Sequence, residues 1–204
     1  MLLPKIKSSA GLRLRVLAPL VCLVVIAAVA PAAEASPQVH IATKYYTVHG
    51  RTAQEIRRDL NKHGVRSSDG KTYDAHTRWY VQWRFDFRNE GSRCALRGVR
   101  TSVDVTYTLP RWVDGAKAPE ELWNQWQRYM RNLKTHEDGH RDIGVAAAEE
   151  IDKALNGLEP AANCREAESK ANALAQNIID KFRSKENFYD LRTAHGMLQG
   201  ATFP

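Results

Sequence analysis

The chain has 204 residues, 43% of them hydrophobic and 26% charged, with a formal net charge of +7. That is enough length for one domain with a proper core, and no repeat or low-complexity tract appears. The basic residues, among them Arg57, Arg66, Arg100, Arg111 and Arg128, are scattered rather than clustered, which argues against a nucleic-acid partner.

Residues 1–35 read as a secretory signal peptide. Lys5, Lys7, Arg13 and Arg15 precede an apolar run from Val16 to Ala30, and Ala33-Glu34-Ala35 supplies a small-x-small cleavage pattern. The run is short for a membrane span, which needs about 20 residues, so no stable span is expected after cleavage. Cys22 follows Val21 rather than a small residue, which speaks against lipidation. The leader holds four of the 30 basic residues and one of the 23 acidic ones, so residues 36–204 form a single domain carrying only +4. An exported protein, periplasmic or extracellular, is the expectation. Two cysteines remain, Cys94 and Cys164, and an even count in an exported chain predicts a disulfide between them.

Along the mature chain, Ser36 to Ala42 reads as a loose leader and Thr43 to His49 as a strand. Thr52-Ala53-Gln54-Glu55 is a capping box that opens a helix with Ile56 and Leu60 on one face and Gly64 as its stop. Ser67 to Lys71 is a polar turn. Trp79, Val81, Trp83, Phe85 and Phe87 then alternate with polar residues, and after Asn89-Glu90-Gly91-Ser92 the alternation returns in Val99, Val103, Val105, Tyr107 and Leu109. This spacing predicts an antiparallel hairpin with one wet face and a bulge at Gly98 where the parity shifts. A long helix follows from Pro119 to about Gly157. A last helix starts near Asn163, with Cys164, Ala167, Ala171, Leu174, Ile178 and Phe182 on one face. The expected fold class is α+β: an antiparallel sheet with helices packed on one face.

The long helix carries His136-Glu137-Asp138-Gly139-His140, an HExxH motif. Residues i and i+4 share a helix face, so both imidazoles can reach one zinc ion, and Glu137 is placed to act as general base on a zinc-activated water. The apolar face through Leu122, Trp126, Tyr129, Leu133, Ile143 and Ala147 includes both histidines, so they point inward. Two inward-facing imidazoles would repel when charged unless a metal satisfied them. Gly139 costs about 1 kcal/mol relative to alanine in mid-helix, which suggests close approach of another element or of substrate.

Catalytic zinc usually keeps three protein ligands and one open position. A histidine six residues after His140 is excluded, because Ala146 stands there. Glu159 lies at another known spacing, but an unbroken helix would place it about 28 Å along the axis from His140. Glu149 and Glu150 fail for the same reason. His195, in the polar stretch Tyr189-Asp190-Leu191-Arg192-Thr193-Ala194-His195-Gly196, is free to fold back and is the expected third ligand.

The chain resembles a bacterial family catalogued as domain of unknown function 922 and described as predicted secreted Zn-dependent proteases. The resemblance rests on the export signal, on Tyr107-Thr108-Leu109-Pro110-Arg111-Trp112, on the zinc motif, on Tyr189 to Gly196, and on the closing Gly200-Ala201-Thr202-Phe203-Pro204. It implies His136 and His140 as ligands, Glu137 as base, and the His195 segment as the completion of the site. The expected function is a zinc metallopeptidase acting on a protein or peptide substrate, with Tyr189 or Arg192 as candidates to stabilise the oxyanion. A non-catalytic zinc-binding envelope protein and a zinc amidase acting on cell-wall peptides are the alternatives. The sequence says nothing of oligomeric state.

Overall fold

The structure, a computed structural model, describes residues 37–67 and 70–204. The expected leader and its cleavage point lie outside these residues. Three strands form the main sheet: β1 (Gln38–Val48), β4 (His76–Glu90) and β5 (Arg93–Trp112), in the order β1-β5-β4. A small antiparallel pair, β2 (Val65–Arg66) with β3 (Thr72–Tyr73), flanks the expected turn, where the Ser67 N–H donates to the Lys71 carbonyl. Three helices complete the domain: α1 (Ala53–His63), α2 (Glu120–Asn156) and α3 (Cys164–Thr193).

The hairpin β4–β5 is antiparallel, as its alternation predicts, and the register shifts between Arg84 and Asp86. One residue of β4 there faces Gly98 and Val99 of β5, and Gly98 takes φ +59°. A single extra residue in a left-handed conformation is a β-bulge, and it restores the inward parity for Val103, Val105 and Tyr107. All three are buried, whereas Tyr80 on the opposite face is exposed.

Two expectations need correction. The sheet is mixed rather than purely antiparallel, because β1 pairs parallel with β5 from Gln38↔Ser102 to Val48↔Trp112. The supposed loose leader from Gln38 to Ala42 belongs to this strand. Its residues are exposed, so their order comes from backbone pairing to β5, a partner distant in sequence.

α2 is continuous over 37 residues and crosses both β4 and β5. Trp126, Tyr129, Leu133, Ala147, Ala148 and Ile151 of α2 are buried, together with Ala171, Ala175, Ile178 and Phe182 of α3. α1 adds Ile56 and Leu60 to the same core, and Thr52 caps it by accepting a hydrogen bond from the Glu55 backbone N–H. The small residues of α3 let the two long helices pack closely, which sets one face of α3 beside the motif turn of α2. A disulfide joins Cys94 at the start of β5 to Cys164 at the start of α3, across 70 residues, with the Cα atoms 5.0 Å apart. Among the described residues no helix is long and apolar enough to cross a membrane.

Candidate metal centre

His136 and His140 project from one face of α2 and are both buried. Their Nε2 atoms lie 3.3 Å apart. Asp190 of α3 points into the same space: its Oδ1 is 3.3 Å from His136 Nε2 and 3.0 Å from His140 Nε2. These three residues are the one group among the described residues whose donor atoms converge closely enough to hold a metal ion. A tetrahedral ion with bonds of 2.0–2.1 Å has donor atoms about 3.3–3.4 Å apart, so the observed triangle fits one face of such a site. Two imidazoles and a carboxylate are also a chemically apt donor set for a divalent ion.

Further residues fix the orientation of these donors. His136 Nδ1 lies 2.9 Å from Gln199 Oε1, an acceptor, so with a metal on Nε2 the ring proton would sit on Nδ1. His140 Nδ1 lies 3.3 Å from Glu186 Oε1, although without the alignment of a hydrogen bond. Glu186 is itself held by the indole N–H of Trp79, at 3.1 Å. Tyr189 stacks parallel on His136, with ring centres 5.2 Å apart, and meets His140 edge-on at 5.0 Å. Its hydroxyl donates to the backbone carbonyl of His136.

Glu137 is buried beside the triangle, and the Thr77 hydroxyl lies 2.6 Å from its Oε2 and 3.2 Å from its backbone carbonyl. Burial pushes the Glu137 carboxyl above its ordinary range, with the Thr77 contact and the two histidines opposing. Burial alone would lower His140, but Asp190 and Glu186 outweigh it and raise the imidazole to about 9. For Asp190 the balance is the reverse. Burial works to raise it, yet hydrogen bonds from His136 and His140 hold it well below the usual carboxylate range.

The triangle and Glu137 open into a cleft of about 990 Å³. Its floor is α2, one wall is the face of α3 that carries Glu186, Asn187 and Asp190, and the other runs from β3 to Trp79 of β4. Asp74 anchors this second wall. It is held by two hydrogen bonds from Arg57 and one from Tyr129, while its carbonyl accepts from Tyr46.

The structure does not bring His195 into the triangle. Its Nδ1 is 3.6 Å from Asp190 Oδ1, its side chain is 43% exposed, and its ring packs on Tyr73 with centres 4.8 Å apart. The reason is that α3 runs on to Thr193, where a turn-prone stretch is expected. Asp190 therefore reaches the motif from a helix, and Ala194 and His195 then turn away in left-handed conformations, at φ 48° and 50°. Glu159 lies beyond the end of the unbroken α2 and takes no part. Tyr189 and Arg192, the oxyanion candidates, line a separate shallow depression with Gly139, Ile143 and Phe188 rather than the cleft. Sequence reasoning also missed Thr77, Glu186 and Gln199. The signal for the acidic pair was present: Glu186 and Asp190 stand four residues apart, on one helix face.

No curated protein and no solved structure matches the chain. A family model does match, over residues 43–196. That span includes β4, β5, the motif helix and Asp190, and so the chain belongs to the family described as bacterial protein of unknown function (DUF922).

Proposed function

We propose that this protein is a zinc-dependent hydrolase of peptide bonds. The observation that carries the reading is the meeting of three donors, His136 Nε2, His140 Nε2 and Asp190 Oδ1, beside a buried glutamate at the floor of an open cleft. His136, His140 and Asp190 would hold the ion, which when bound supplies Lewis acidity that polarises a carbonyl and acidifies water. Three protein ligands leave a coordination position for chemistry, whereas a structural zinc site closes with four.

The protein's own residues do the rest. Glu137 accepts the proton of the attacking water and delivers it to the departing amine. Its raised affinity for a proton suits both halves of that transfer. Thr77 keeps the carboxylate turned toward the cleft floor. Gln199 holds the His136 imidazole and Glu186 lies beside that of His140, so that little reorganisation is needed when substrate arrives. An amide in a cell-wall peptide would meet the same chemistry. The Cys94–Cys164 disulfide supports export to an oxidising compartment.

The test is hydrolysis of casein and of peptidoglycan peptides by zinc-loaded protein, with Glu137→Ala as control. Wild type should cleave, and Glu137→Ala should keep its zinc while losing at least a hundredfold in rate. Absence of cleavage in both substrate classes, with zinc bound, would favour a binding role.

A further inference from the structure

The charges lining the cleft are distributed unevenly between floor and rim. Its four carboxylates are all engaged within the site. Asp74 is tied to Arg57 and Tyr129, Glu137 to Thr77, Glu186 to Trp79 beside His140, and Asp190 to both motif histidines. Three guanidiniums also line the cleft, and only Arg57 is spent in this way. No carboxylate among the described residues forms an ion pair with Arg78. Arg183 has only Asp180, at 3.8 Å, and both side chains are more than half exposed. Such a pair contributes little and yields readily to a better partner.

Both arginines are placed along the path of a bound chain. Arg78 follows Thr77 on the edge strand β4, and successive strand residues face opposite sides of a sheet, so the exposed Arg78 lines the cleft at its outer edge and not beside Glu137. Arg183 is seven residues before Asp190 on α3, about 10 Å along the helix axis. An extended peptide rises about 3.3 Å per residue, so Arg183 addresses a side chain about three positions from the reacting amide, and Arg78 addresses one at the outer edge of the cleft. The planar fork of arginine suits a carboxylate in particular.

We propose that Arg78 and Arg183 select peptide substrates with acidic side chains flanking the scissile bond. This rests on the peptidase reading for its setting but concerns a separate property, the sign of charge that the cleft prefers. The probes are three fluorogenic peptides that differ at one flanking position, glutamate, glutamine or lysine. Zinc-loaded wild type should show kcat/KM about tenfold higher for glutamate than for glutamine, with lysine lowest, the effect of one charge-assisted hydrogen bond. The double variant Arg78→Glu, Arg183→Glu should invert the order, and the single variant Arg78→Gln should flatten it. Equal rates for the three peptides, or an order unchanged in the double variant, would overturn the proposal.

Binding of the same peptides to zinc-loaded Glu137→Ala decides the question independently of turnover. Tighter binding of the glutamate peptide, lost in Arg78→Gln, supports the preference even if wild type cleaves none of the three. Equal binding rejects it. Failure to cleave any peptide therefore counts against the peptidase reading, and loss of the charge preference counts against this one.

Discussion

A Cβ atom built on Gly139 would lie 2.2 Å from the hydroxyl oxygen of Tyr189. The second of the two middle residues of the HExxH motif is therefore not free, because it must be glycine for α3 to close on α2. Tyr189 stacks on His136 and adjoins Asp190, so the contact also sets the third corner of the triangle. Gly139→Ala gives a sharp prediction, since helix propensity alone favours alanine by about 1 kcal/mol. We expect the opposite sign: a variant less stable by about 1–3 kcal/mol, as for overpacking, with zinc affinity reduced. Urea unfolding with and without zinc measures both, and a more stable variant would show that α3 does not press on this turn.

Ligand identity separates Asp190 from His195. Asp190→Asn and Asp190→Ala should weaken zinc binding by more than a hundredfold, since each alters a donor atom. Gln199→Ala and Glu186→Ala, which free an imidazole without removing a donor, should cost about 10–100-fold. His195→Ala should stay within a few fold of wild type, because the ring packs on Tyr73 outside the triangle. Competition titration against a chromogenic chelator ranks the set.

The pH dependence follows from His140. In metal-free protein its pKa is raised from 6.5 to about 9, so the stability it confers is fully present below pH 6.5 and is lost as pH rises through 9. Glu137, raised by burial, adds a decline above its ordinary 4.5. Asp190 has the other sign: its contribution is present above 3.8 and is lost on acidification. Metal-free protein should therefore melt at a lower temperature at pH 9 than at pH 6. Zinc must displace the His140 proton, so its apparent affinity should climb about tenfold per pH unit across the same interval. Thermal melts with chelator and with zinc at the two pH values should show opposite trends.

Much of this architecture was legible in the residues. The capping box at Thr52, the alternation in β4 and β5, the bulge at Gly98 and the inward histidines are all local patterns, and local patterns survive folding. Gly139 announced a close approach, which Tyr189 makes. What failed was non-local or lay at an element boundary. The parallel pairing of β1 with β5 leaves no trace in Gln38 to Ala42, whose side chains are exposed on an edge strand. Sequence reasoning selects His195, and does not consider Asp190 as a donor, because it ends α3 too early. A helix extended by one turn converts Asp190 from a loop residue into an inward-facing donor, and periodicity locates helix ends poorly. Thr77 and Gln199 became visible only once separate elements met.

The disulfide closes a loop of 70 residues, for which the chain-entropy model gives about 4 kcal/mol. Cys94→Ser with Cys164→Ser should lower unfolding stability by about 2–5 kcal/mol, read from chemical denaturation. Zinc stoichiometry should be unchanged, because the bridge lies at the start of β5 and α3, away from the triangle.

The most direct test of the metal centre is anomalous diffraction at the zinc absorption edge from crystals of zinc-loaded protein. The predicted result is one strong peak within about 2.0–2.2 Å of His136 Nε2, His140 Nε2 and an Asp190 carboxylate oxygen, facing the cleft beside Glu137. A peak coordinated by His195 in place of Asp190, or no peak at the motif, would contradict the account.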